Sequence, residues 1–170
     1  MYLHPTYAVT PARVPLGVID AWMWAREFKD ETGERGGLCE SVRWIEGYER
    51  VAEQARQMPG TRLVCVADRE GDIVELMRRA RDLGEPADWL IRSRHDRSLG
   101  KGAAKLSVAL QQRPVLGEVE FTLAARQGVK ARRVRQELRV LRTQWPDGKG
   151  GVVEASVVLA SEIGAPAGVK

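Results

Sequence analysis

With 170 residues, 44% of them hydrophobic and 29% charged, the chain has the balance of a soluble globular fold and the length for one sizeable core. A formal net charge of +4 permits a polyanionic partner without requiring one. Cys39 and Cys65 are the only cysteines, with no metal-like spacing, so neither a disulfide framework nor a zinc site is indicated. No apolar run approaches the ~18 residues of a membrane span and the start is not a signal peptide, so a cytoplasmic protein with no membrane association is expected.

Tyr2 to Thr10 and Leu16 to Trp24 read as two strands joined by a turn at Thr10-Pro11-Ala12-Arg13. Lys29 to Gly37 is charged and glycine-rich, a surface loop. Glu40 to Met58 is patterned as an amphipathic helix, with Trp44, Tyr48, Val51, Ala52 and Ala55 on one face. Pro59-Gly60 stops it. Leu63-Val64-Cys65-Val66-Ala67 is unbroken apolar and β-branched, the pattern of a strand covered on both faces of a parallel sheet. The chain then turns polar at Asp68-Arg69-Glu70-Gly71-Asp72, and Ile73, Val74, Met77, Ala80 and Leu83 recur at helical spacing up to Gly84. Asp72 is placed to cap that helix. A short strand, Trp89-Leu90-Ile91, completes a βαβ unit with a parallel pair. Carboxylates at the carboxyl ends of such strands are well placed for chemistry, which singles out Asp68.

From Arg92 the character changes. Arg92, Arg94, Arg97, Lys101 and Lys105 fall close together, and Leu106 to Leu110 reads as a short helix. Val119, Phe121 and Leu123, then Val134, Leu138 and Val140, alternate with polar neighbours, and Val152 to Leu159 suggests a further strand after the turn at Trp145-Pro146-Asp147-Gly148. This half reads as antiparallel β, with Arg133, Arg135 and Arg139 on one face, and ends in a small, flexible tail from Gly164.

Five stretches stand in a recognisable order: Tyr2 to Pro11, Pro15 to Arg26, Ser41 to Tyr48, Val66 to Ile73 and Asp88 to His95. Together they resemble the middle of a DDE-type transposase of the insertion-sequence-four family. The resemblance implies an α/β fold: a ribonuclease H-like core over residues 1–95, a β-rich antiparallel insertion over 96–163, and a tail over 164–170. It implies a cut-and-paste activity in which two Asp and one Glu hold two divalent ions, Mg²⁺ or Mn²⁺, for attack on phosphodiesters. Asp68 matches the second Asp, as catalytic residue and metal ligand. Arg92 and Arg94 match a basic stretch that would contact the DNA backbone at transposon ends, with a homodimer assembled on DNA. Gly71 stands where the family more often has Ala, a change expected to matter little.

The family's first Asp lies on a core strand upstream of Tyr2, and its Glu lies in a helix downstream of these residues. The 170-residue sequence holds neither, so the core is expected to be incomplete, lacking its first strand and last helix. One ligand of three does not hold two ions, so this polypeptide alone is expected to be inactive. In ribonuclease H-like sheets the first strand lies between the second strand and the one carrying the Asp68 position, so two apolar edges are expected to lack a partner. The alternative is a non-catalytic DNA-binding remnant, or an inhibitor that pairs with intact transposase. A receiver-like phosphoacceptor role for Asp68 lacks the further acids and Lys that such chemistry uses.

Overall fold

Tyr2–Val9 (β1) and Pro15–Trp24 (β2) form an antiparallel hairpin, in register from Tyr2 against Trp24 to Val9 against Pro15. Its turn closes through Thr10, whose carbonyl accepts from Arg13 N at 2.8 Å and whose hydroxyl accepts from Val14 N at 3.1 Å. The computed structural model describes residues 1–25, 28–29, 31–33, 41–128 and 130–166. The loop expected from Lys29 to Gly37 lies partly outside these, as do Arg26, Cys39, Glu40 and the end of the tail. Two units divide the chain, Met1–His95 and Asp96–Lys170.

In the first unit, Val42–Gln57 forms α1. Tyr48, Val51, Ala52 and Ala55 recur along its buried face, while Arg50 and Glu53 pair at 2.6 Å on its exposed one. The Tyr48 ring has no exposed surface, and its hydroxyl donates to Ala87 O at 2.7 Å. Burial pushes its pKa up to about 12, because the phenolate would lose its water. Val64–Ala67 (β3), a 3-10 turn over Arg69–Gly71, Val74–Asp82 (α2) and Asp88–Ile91 (β4) follow. Gly84 ends α2 with φ +79°, where a side chain would be strained, and its N–H donates to Arg81 O at 2.9 Å. β3 and β4 are parallel, from Val64 against Asp88 to Ala67 against Ile91. Tyr48, Val51, Ala52 and Ala55 of α1 meet Leu76 and Ala80 of α2 in one apolar cluster, with Cys65, Trp89 and Ile91 packed against it.

The sheet of this unit departs from the sequence reading at β3. Cys65 and Ala67 turn toward the helices, but Val64 and Val66 are 44% and 69% exposed. Leu90 beside them is 61% exposed. The strand is covered on one face only. The cause is architectural: among the described residues β3 pairs only with β4 and β1 only with β2, which gives two separate two-stranded sheets. Apolar composition records what a strand tolerates on each face, not whether a layer is present there.

The second unit pairs Gly117–Leu123 (β5), Arg132–Pro146 (β6) and Val152–Glu162 (β7) in an antiparallel sheet of that order. A short helix, Leu106–Gln111 (α3), contacts β6 and β7 and buries Leu106 and Leu110. Trp145 and Val153 face each other across β6 and β7, both buried. The turn between them is tied by the buried Asp147, whose Oδ1 accepts from Lys149 N at 2.8 Å and Gly151 N at 2.9 Å. The molecule is thus mixed α/β. No helix among the described residues is long and apolar enough to cross a membrane.

Candidate functional site

The parallel register brings the carboxyl ends of β3 and β4 together. Ala67 and Ile91 are partners, so the next residues, Asp68 and Arg92, leave adjacent strands side by side, and Arg92 N donates to Ala67 O at 3.0 Å. Asp68 is exposed. Its Oδ1 accepts from Glu70 N at 2.9 Å, which starts the 3-10 turn, and its Oδ2 has no hydrogen-bond partner among the described residues. One carboxylate oxygen shapes the loop and the other is open to solvent.

Around Asp68 the neighbouring charges have structural work. Glu70 Oε2 accepts from Arg43 Nη2 at 2.5 Å. The Arg43 guanidinium lies over the Trp24 and Trp44 rings, 5.1 and 5.6 Å from their centroids. His4 meets Trp44 edge-on at 4.4 Å. Burial holds the His4 pKa below its usual range, and Arg43 adds to this; Glu70, Asp68 and Asp20 pull the other way.

Asp72 does not cap α2 as the sequence suggested. Ile73 occupies the cap position, with no side-chain bond. Asp72 is instead 3% exposed, and its Oδ2 accepts from Arg94 N at 2.7 Å and His95 N at 3.0 Å, with Ser93 Oγ at 3.4 Å. A buried carboxylate needs such donors, and here they come from the segment that follows β4. That segment is not a continuation of the strand, which ends at Ile91. The position of Arg94 is therefore set by its own amide on Asp72 rather than by strand alternation. Arg92 and Arg94 are both exposed, and neither forms an ion pair among the described residues.

Gly71 is tighter than the sequence implied. A Cβ there would lie 2.6 Å from Ala67 Cβ and 3.3 Å from Trp44 Cε3, so alanine at this position requires a shift. On β3, burial pushes the Cys65 thiol up to about 11.

Mg²⁺ or Mn²⁺ needs several convergent oxygens. Among the described residues no group of three or more His, Cys, Asp or Glu is arranged to hold a metal. Asp68 is a lone donor, since Glu70 and Asp72 are engaged with Arg43 and with backbone amides. These residues do not fit a two-metal centre by themselves.

The arginine face of the second unit is largely neutralised. Arg133 pairs with Glu120 at 2.8 Å, Arg135 with Glu118 at 3.0 Å and Arg139 with Glu137 at 2.8 Å. The first two pairs run diagonally, since Glu120 stands opposite Arg135 and Glu118 opposite Glu137. Arg132 is bound by Glu162, which lowers the carboxyl pKa. Glu118 and Glu120 alternate on β5 as the arginines do on β6, a pattern present in the sequence but read there only from the basic side. No protein-family model matches the chain, and no curated protein matches it.

Proposed function

We propose that the chain is part of the catalytic domain of a DDE-type transposase of the insertion-sequence-four family, built on a ribonuclease H-like core with β5–β7 as its antiparallel insertion. The observation that carries this reading is Asp68 at the carboxyl end of β3, with one oxygen unengaged among the described residues, where β4 continues into Arg92 and Arg94, which form no ion pair among those residues. A carboxylate and two guanidiniums at a strand tip suit a phosphodiester: the first as one ligand of a divalent ion, the others as phosphate contacts. The split sheet also supports it. Two two-stranded sheets, with β3 unpaired on one edge among the described residues, are what a ribonuclease H-like sheet without its first strand would leave. In the intact enzyme Asp68 would be one of three acids on Mg²⁺ or Mn²⁺, the substrate would be transposon-end DNA, and the assembly a homodimer on that DNA in the cytoplasm. The 170-residue polypeptide by itself has one of these acids and does not cleave.

The DNA on either side of the coding region tests the family. An Asp-bearing strand upstream and a Glu-bearing helix with Tyr, Arg and Lys downstream are expected, in frame or past a stop; their absence in every frame would sink the proposal. Metal-dependent nicking of duplex DNA by the purified chain would overturn its inactivity. A second reading, a non-catalytic DNA-binding remnant or inhibitor, draws on the same free arginines without a metal group. Salt-dependent DNA binding indifferent to EDTA would favour it.

A further inference from the structure

Two acids bound the turn that follows β3. Asp68 opens it, with one carboxylate oxygen on the Glu70 amide. Asp72 closes it: its own N–H donates to Arg69 O at 3.4 Å, and its carboxylate reaches the segment beyond β4. The turn between them is stiff. Asp68 O accepts from Gly71 N at 3.1 Å, and Gly71 is packed so closely on Ala67 and Trp44 that a Cβ has no room.

The segment that Asp72 grips has little structure of its own. Arg92 to Arg97 lie in no helix and no strand. Arg92 N is held by Ala67 O, the residue before Asp68, and the Arg94 and His95 amides are held by Asp72 Oδ2. Two consecutive amides on one oxygen fix the backbone between them, and the charge on the acceptor makes each bond stronger than an amide–carbonyl one. Ser93 Oγ donates to His95 O at 3.0 Å and closes the segment on itself. Asp68 and Arg94 thus belong to one closed frame: β3 paired with β4, the 3-10 turn, and the Asp72 carboxylate across the open side. Without that last member, Arg94 follows a backbone that is tied at Arg92 and free beyond it.

We propose that Asp72 is a positioning residue for polyanion binding: by gripping the Arg94 and His95 amides it presents Arg94 to a phosphate at a set distance from Asp68. This rests on the reading of Arg92 and Arg94 as phosphate contacts and adds what holds them ready. The sign of the charge separates the role from a merely structural one. By Coulomb's law alone, loss of an acid near two arginines should strengthen binding of a polyanion. By geometry its loss should weaken binding, because a phosphate must then order Ser93 to His95 before it gains Arg94. The field effect is the smaller, since two amide dipoles already face the carboxylate and Arg94 is exposed to water.

The test is a double-mutant cycle on the full chain, reading the affinity of a labelled mixed-sequence DNA duplex by fluorescence anisotropy at low salt. Arg94→Ala should weaken binding about threefold. Asp72→Ala should weaken it by about as much although it removes a negative charge, and in that background Arg94→Ala should add less than about 1.5-fold. Amide protection retained in α1 and β5–β7 shows that the variant is folded. If Asp72→Ala does not fold, His95→Pro removes one of the two donors at an exposed position, keeps Asp72 and both arginines, and should erase the Arg94 effect in the same way. Tighter binding by Asp72→Ala, or an Arg94 effect undiminished in the variant background, would overturn the proposal and leave Arg94 a phosphate contact. No effect of Arg94→Ala in the unaltered chain would remove that contact, and the proposal with it.

Discussion

Arginines stand in two settings in this chain, and the settings do different things with the same side chain. On the β5–β6 face Arg133, Arg135 and Arg139 each have a glutamate within 3.0 Å, so the face carries nearly as much negative charge as positive. At the tip of β3 and β4, Arg92 and Arg94 have no acidic partner among the described residues, and two of the nearby acids are occupied elsewhere: Glu70 by Arg43 and Asp72 by backbone amides. What makes an arginine available to a phosphate is less its number in the sequence than the prior engagement of its neighbours. Exposed pairs contribute little to stability, typically under about 1 kcal/mol, but they do cancel the field that a polyanion would feel.

Four experiments can break or sharpen this contrast. The largest effect is expected from Asp72→Ala, which removes the buried carboxylate that accepts from the amides of Arg94 and His95. Urea unfolding should show a loss of about 2–3 kcal/mol, with faster amide exchange over Ser93–His95 and no change in β5–β7. Next is Gly71→Ala, which drives a methyl into Ala67 and Trp44 under the same loop. Overpacking of this kind costs about 1–3 kcal/mol, and an unchanged denaturation midpoint would show that the loop yields freely.

The two units should also differ at the alkaline end of the pH scale. In the first, Cys65 is raised from 9.0 to about 11 and Tyr48 from 10.0 to about 12, so the folded form holds protons that the unfolded chain releases. The contribution of these two groups is full below pH 9 and declines as pH rises toward those folded values, while the lowered His4 pKa gives this unit a separate loss at acid pH. In the second, the Glu162 carboxyl is lowered by Arg132, and Asp96 by its bonds from Ser107. Their contribution is present above the ordinary carboxylate range and is lost as pH falls through it. Amide exchange at pH 10 would separate the two; loss of protection there in the second unit but not in the first would contradict the assignment.

The smallest effects concern the arginines themselves. Replacing Arg92 and Arg94 together with alanine should lower duplex-DNA affinity about tenfold and flatten the salt dependence by about two phosphate contacts. The same change at Arg133 and Arg135 should alter affinity no more than about twofold and stability by under about 1 kcal/mol. Equal losses from the two pairs would erase the distinction.

Much of the chain's local structure was legible from pattern alone. The β1–β2 hairpin, α1, α2, the parallel β3–β4 pair and the antiparallel β5–β7 follow from period, turn residues and helix-stopping glycines that act over a few positions. What escaped depended on partners distant in sequence. Val64 and Val66 look like interior residues because an apolar run cannot say whether the layer above it is present. Asp72 looks like a helix cap because the backbone donors it accepts from lie 22 and 23 residues ahead. Gly71 looks replaceable until Trp44 and Ala67 are brought against it. Of the site, Asp68 was visible as a carboxylate at a strand end; the pinning of Ser93–His95 was not.

The grip of Asp72 falls on main-chain N–H groups, which every amino acid except proline supplies. Side chains at positions 94 and 95 can therefore be exchanged without rerouting the polypeptide, and a new chemistry could be tried at the sheet's tip while its scaffold stays put. Only proline at either position would forfeit that tolerance.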